Sequence, residues 1–271
     1  MQVYCIISDE RAYRAKSTAI FSTVLKRMGI KGAYVPFKVA PEKLGQALQS
    51  LRILNIAGAN ITVPYKEVVL PYLDILSEGA NIIGAINTVV VNGDKLKGYN
   101  TNAIGFMDAL SDVGFDVEDK SAMVFGTGGA ARAVIFILNW LRTKTIFVAG
   151  RDEAKTEQMV KRFGGEARSL SSLEGQEIPV DIIVNATSVS SLDESPEMAD
   201  LVASLVLPDC ELLMDLNYDR PNNFWKKAAH DNGVRFLDGR MPLAYQARRT
   251  FALWTGLQVP PEEFISVIEG E

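Results

Sequence analysis

Apolar runs separated by polar, glycine and proline breaks divide the chain into short strands alternating with helices. Gln2 to Ile7 is apolar and too short for a helix, so it predicts a strand, followed by a helix over Tyr13 to Met28 and a strand over Ala33 to Phe37. A helix is expected after Pro41, and the β-branched run from Ile53 to Val63 reads as a buried strand that Pro64 ends. The amphipathic run Glu67-Val68-Val69-Leu70 predicts helices as far as Ile83. Asn87 to Val91 and Lys95 to Tyr99 flank Asn92-Gly93-Asp94, a hairpin signal because Asn and Gly accept positive φ. Asn102 to Val113 reads as a helix leading into a second unit. That unit has strands at Ser121 to Phe125, Thr145 to Ala149, Asp181 to Asn185, Glu211 to Leu216 and Val234 to Leu237, with helices between. Ser188 to Pro196 reads as a surface loop, and Met241 to Gly256 and Pro260 to Glu269 as two closing helices. The pattern predicts an α/β protein: an N-terminal α/β domain, then a Rossmann-like, doubly wound dinucleotide-binding domain.

Composition narrows the functions available. With 271 residues, 48% hydrophobic and 23% charged, the chain has the balance of a soluble globular protein with room for two cores. Its apolar runs, such as Ala130 to Leu141 with Arg132 and Asn139 inside, are too short to span a bilayer, so no membrane partner is expected. The amino terminus enters a strand with no basic leader, which predicts a cytoplasmic protein. A net charge of −5 gives no support for a nucleic-acid partner. Cys5 and Cys210 lie in strand-like runs and read as free, buried thiols. A single histidine, His230, and no C-x-x-C leave nothing to build a metal site or a histidine triad, so no metal is expected and acid/base chemistry falls to lysine, carboxylate or tyrosine.

Three strings carry the candidate chemistry. Gly126-Thr127-Gly128-Gly129-Ala130-Ala131 matches G-x-G-x-x-A between a strand and a helix, where glycines let the backbone approach a pyrophosphate held on helix amides. The next strand ends in Ala149-Gly150-Arg151-Asp152, which offers an arginine for a 2′-phosphate and an acid for free ribose hydroxyls, leaving NADP and NAD both open. Asn60-Ile61-Thr62-Val63-Pro64-Tyr65-Lys66 puts a lysine just past a strand-ending proline, on the ligand side of an α/β sheet. Read alone, a solvated lysine at a helix start is the commoner reading.

N-I-T-V-P-Y-K, G-A-I-N-T-V-V and G-Y-N-T-N-A-I-G-F, in this order, resemble the substrate-domain signatures of the shikimate dehydrogenase family, which includes quinate/shikimate dehydrogenases. The resemblance implies a substrate domain of residues 1–101 completed by terminal helices 240–271, and a dinucleotide-binding domain of residues 102–239. It implies NADP-dependent reversible reduction of 3-dehydroshikimate to shikimate, a step toward chorismate and the aromatic amino acids, by a monomer or homodimer whose partner is a small ring carboxylic acid. In the family, the lysine matching Lys66 works beside an aspartate; here Asn102 stands in that place, can hold a hydrogen bond and cannot accept a proton. Thr62, Asn87, Thr101, Tyr218 and Gln246 match positions that bond the ring hydroxyls or line the pocket. On the cofactor side, Arg151 makes NADP the expected coenzyme and Asp152 leaves NAD possible. Thr187, Leu216 and Gly239 fall on the nicotinamide half, and Glu78 on a family glutamate counted with the cofactor contacts. The family's paired-serine string near the amino terminus is missing from Ser8 to Thr18, so Arg11 or Arg14 becomes the candidate for the substrate carboxylate, or else the segment is an exposed charged helix start. Three functions stay open: the shikimate enzyme, a dehydrogenase of quinate or another carboxylated ring alcohol, and a nucleotide-binding homologue without catalysis.

Overall fold

The computed structural model describes residues Met1–Gly270. Along the chain it forms β1 (Gln2–Ser8), α1 (Ser17–Arg27), β2 (Gly32–Lys38), α2 (Leu44–Ile53), β3 (Ile56–Ile61), β4 (Ile75–Leu76), α3 (Glu78–Ile83), β5 (Thr88–Asn92), β6 (Lys95–Tyr99) and α4 (Thr101–Asp112). There follow β7 (Ser121–Phe125), α5 (Gly129–Trp140), β8 (Thr145–Ala149), α6 (Glu153–Phe163), β9 (Glu166–Arg168), β10 (Ile182–Asn185), α7 (Pro196–Ala203), β11 (Leu212–Asp215), α8 (Phe224–Asp231), β12 (Arg235–Leu237), α9 (Arg240–Thr255) and α10 (Glu262–Glu269). Two compact units result: Met1–Gly105 together with the chain from Leu243 onward, and Phe106–Pro242. No helix among the described residues is long and apolar enough to cross a membrane.

The first unit is a six-stranded sheet in the order β2-β1-β3-β5-β6-β4. β1 is parallel to both β2 and β3, whereas β5 runs antiparallel to β3 and β6. Both faces of β1 are covered, which is why its sequence is continuously apolar rather than alternating. Tyr4 and Ile6 point into one core with Phe21, Tyr34, Phe251 and Phe264, while Cys5 and Ile7 point into the other with Leu44, Leu48 and Tyr65. Trp254 of α9 enters the first of these cores, stacks 4.7 Å from Tyr4 and donates its indole N–H to Val89 O at 3.0 Å. Gly58 makes the room, because a Cβ there would lie 2.1 Å from Trp254 Nε1. The hairpin closes as expected, Asn92 pairing with Lys95 and Gly93 at φ +57°.

The second unit is a parallel sheet in the order β12-β11-β10-β7-β8-β9. Counted from its own first strand this is 3-2-1-4-5-6 read from the far edge, the Rossmann order, with the reversal between β7 and β10. Its core gathers Phe125, Ile183, Leu213 and the fully buried Trp225.

Four sequence expectations change. β3 stops at Ile61: Thr62 N–H makes the last ladder bond, to Ile7 O, and Pro64, joined to Val63 by a cis bond, has no N–H to carry the sheet further. Beyond Lys66 there are turns and one 3-10 turn at Leu70–Tyr72 in place of a helix. The helix expected from Tyr13 begins at Ser17, after a separate 3-10 turn over Glu10–Arg14 that Asp9 caps. Within the expected surface loop, Ser190 and Ser191 are buried: Asn217 Nδ2 donates to Ser190 Oγ at 2.8 Å, and Glu194 accepts both serine N–H groups.

Candidate active site

In the first unit the candidate residues converge where β3 and β5 meet the start of α4. Lys66 O accepts the N–H of Ile86 at 2.8 Å, and Ile61 N–H donates to Asn87 O, so the lysine's backbone sits beside Asn87. Asn87 Oδ1 accepts Thr101 N–H at 2.7 Å, while its Nδ2 faces Thr101 Oγ1, Asn102 Oδ1 and Gln246 Oε1 at 2.8, 3.0 and 3.1 Å. Thr88, Thr101 and Thr250 hydroxyls join this network. Asn60, which sequence reading had not placed in the site, accepts from Tyr34 OH at 2.8 Å and donates to Asn87 O at 3.1 Å, so it braces Asn87 from behind. Lys66 itself is half-buried, and burial alone brings its ammonium from 10.5 down to about 8, with no carboxylate among the described residues to offset it. Thr62 is half-buried at the same strand end.

The amino-terminal arginines behave differently from each other. Arg11 forks onto Asp9 at 2.9 and 2.6 Å, an exposed pair that holds the Asp9 carboxyl well below its usual range, so its guanidinium is already engaged. Arg14 is exposed and has no ion pair among the described residues. Just beyond it, Ser17 Oγ and Thr18 Oγ1 are buried without a hydrogen-bond partner, two hydroxyls that the missing serine-pair pattern had hidden. Ser8 Oγ donates to Val63 O at 2.6 Å and so ties this segment to the turn carrying Lys66. Glu78 is exposed in the first turn of α3, after Ser77 caps the helix.

The second unit presents the cofactor strings. Gly126 takes φ +120°, and a Cβ there would meet Ala186 O at 2.9 Å. Gly128 caps α5 with open space where its Cβ would be, so the loop leaves a cradle in front of the first-turn N–H groups at Gly129, Ala130 and Ala131. Such a cradle fits a pyrophosphate. Gly150 is required because Thr127 and Thr156 side chains would lie 2.8 and 2.9 Å from a Cβ. Arg151 is exposed and unpaired among the described residues. Asp152, also exposed, folds back onto its own helix instead, capping α6 through Lys155 N–H at 3.0 Å and pairing with Lys155 Nζ at 3.2 Å, which lowers its carboxyl. Lys155 was missed in the sequence, although Asp-x-x-Lys at a helix start was its signal. At the carboxyl ends of β10 and β11, Asn185 Oδ1 accepts Thr187 N–H at 3.0 Å and Asn185 O accepts Leu216 N–H at 3.0 Å. Gly239 N–H donates to Asn217 O at 3.0 Å, and a Cβ there would stand 2.2 Å from Leu216 O. Tyr218 follows, half-buried, its phenol pushed up by burial. No cluster of metal-ligating side chains occurs among the described residues.

The two units define a Rossmann-type α/β protein whose other half carries a polar, lysine-bearing cluster. Residues 10–89 match the model of the shikimate dehydrogenase substrate binding domain, and residues 109–220 that of shikimate / quinate 5-dehydrogenase. The chain is 36% identical to the shikimate dehydrogenase (NADP(+)) of Halothermothrix orenii over 93% of its length and 90% of the relative's. It is 34% identical to that of Desulforamulus reducens, covering 93% and 89%. The shikimate 5-dehydrogenase of Thermus thermophilus, solved in complex with NADP(H) and shikimate, superposes with a TM-score of 0.87 at 30% identity over 99% of both chains. The Aquifex aeolicus shikimate dehydrogenase structure gives 0.85 at 33%, covering 99% and 96%. This chain belongs to the shikimate dehydrogenase family of oxidoreductases.

Proposed function

We propose that the protein is an NADP-dependent shikimate dehydrogenase of the cytoplasm, reversibly reducing 3-dehydroshikimate to shikimate. The observation that carries this reading is Lys66, half-buried, its ammonium brought to about 8 and its backbone bonded next to Asn87 in a cluster of Asn and Thr side chains suited to a polyhydroxylated ring. NADPH, when bound, supplies the hydride. The loop Gly126–Ala130 and the α5 amides would hold its pyrophosphate, and exposed Arg151, with Lys155 one turn on, its 2′-phosphate. Asp152 is committed to the α6 cap, which favours the phosphorylated cofactor over NAD. Thr187, Leu216 and Gly239 line the strand ends assigned to the nicotinamide.

Lys66 gives a proton to the ketone oxygen as the carbon gains hydride, and takes it back from the hydroxyl in the reverse direction. Asn87, Thr101, Gln246 and Thr62 orient the ring, and Tyr218, at the β11 end of the second unit, is kept as a substrate-binding candidate on the family resemblance alone. Arg14, exposed and without an ion pair among the described residues, is the group left to meet the carboxylate. Turnover of 3-dehydroshikimate with NADPH, and of shikimate and quinate with NADP and NAD, tests the assignment. Tight NADPH binding with no turnover of any ring acid would replace it with a non-catalytic role. Lys66→Ala is expected to remove turnover by ~10²-fold or more while NADPH affinity stays within about twofold. A variant keeping a tenth of wild-type turnover would exclude Lys66 from proton transfer.

A further inference from the structure

Three amides meet in the first unit, and their orientations are fixed by one backbone group. Thr101 N–H can only donate, so the atom of Asn87 it reaches at 2.7 Å is the oxygen Oδ1. Asn87 Nδ2 is then the donor on the opposite side, and whatever faces it must accept. There it meets Asn102 at 3.0 Å and Gln246 at 3.1 Å, so both turn their oxygens inward. Gln246 Oε1 also faces the Thr101 hydroxyl at 3.3 Å. The amide nitrogens of Asn102 and Gln246 consequently point away from the network. Neither is bonded to another described residue or sealed from solvent. An amide nitrogen has two hydrogens to give and no lone pair to offer.

We propose that Asn102 is a specificity-determining donor that makes this site select the keto form of its ring substrate over the alcohol. The inference rests on the dehydrogenase reading given above. On that reading the reacting oxygen is served by Lys66 and Asn102; a protonated lysine and an amide nitrogen both donate, and neither is bonded to a carboxylate among the described residues. A ketone oxygen accepts from both. A hydroxyl oxygen can accept as well, but its own hydrogen then has no acceptor, and an unmade hydrogen bond in a desolvated site carries the larger penalty. In the reduction direction, negative charge grows on an oxygen that two donors already face, which lowers that barrier. A carboxylate at position 102 would keep its bond from Asn87 Nδ2 on one oxygen and offer the other to the hydroxyl.

The test uses non-reacting ternary complexes of the whole enzyme: 3-dehydroshikimate titrated in the presence of NADP⁺, and shikimate in the presence of NADPH. Wild type is expected to bind the keto acid at least about tenfold more tightly, and Asn102→Asp to shrink or reverse that ratio by about tenfold. Any general repulsion between the new charge and an anionic ring cancels in the ratio. Asn102→Ala should also narrow it, through weaker keto binding alone. A ratio equal in all three forms, or a wild type that prefers shikimate, overturns the proposal. If both acids turn over and the ratio does not move, only the role of Asn102 falls. If neither acid binds or turns over, the shikimate assignment falls and takes this inference with it.

Discussion

Replacing Lys66 with methionine should make the protein inactive and more stable. The native ammonium titrates at about 8 instead of its ordinary 10.5, with burial as the cause and no carboxylate offsetting it. At about 1.4 kcal/mol per pH unit, keeping that charge in place costs roughly 3 kcal/mol at neutral pH. Methionine has nearly the same length and no charge, so Lys66→Met is expected to gain about 2–3 kcal/mol at pH 7. The pH dependence follows from proton counting. Below pH 8 the lysine is protonated in both native and unfolded chains, and the full penalty applies. Between 8 and 10.5 the unfolded chain holds a proton that the native one has lost, so wild-type stability rises with pH and the variant's advantage shrinks toward zero. Urea unfolding at about pH 6, 7, 9 and 10 measures this directly. A variant no more stable than wild type at neutral pH, or an advantage that stays constant as pH rises through the native and unfolded values, would refute the claim that desolvation governs Lys66.

Arg151→Ala should weaken NADP by ~10-fold or more and leave NAD nearly unchanged, because only NADP offers a 2′-phosphate to the guanidinium; equal losses in a binding titration would make Arg151 structural. Gly239→Ala should destabilise by about 2 kcal/mol or more, since its Cβ would press to 2.2 Å on the Leu216 carbonyl. Thermal unfolding within experimental error of wild type would show that the β12–α9 turn yields.

Strand identity was legible wherever burial on both faces produced an apolar run bounded by turn residues. β7 and β8 match their expected bounds, as does β6, and the glycine loop lies between strand and helix as expected. β9, Glu166–Arg168, escaped notice because a three-residue edge strand of mostly charged side chains carries no periodicity. The buried Ser190 and Ser191 escaped because serine in a loop reads as solvated, whereas Glu194 and Asn217 satisfy their polar groups. The same limit applies to the candidate site. Lys66, Asn87 and Asn102 could be singled out as residues, but the direction in which an amide points depends on a backbone N–H from another element. Arg11 looked available because Asp9, two residues away, gives no hint in linear sequence that a 3-10 turn will bring the two together.

The indole of Trp254, seated where Gly58 lacks a side chain, also sets the order in which the chain can fold as it is made. The first 105 residues leave the ribosome with the face around Tyr4, Phe21 and Tyr34 uncovered, and its cover, α9 and α10, is encoded after most of Phe106–Pro242. That intervening unit is continuous and can close while translation proceeds. At roughly 5–20 residues per second, the earlier sheet waits on the order of ten seconds for its last aromatic. During that interval the first-made sheet presents an uncovered apolar face of the kind that aggregates, and a message truncated before α9 would release a chain whose first-made sheet never gains its cover.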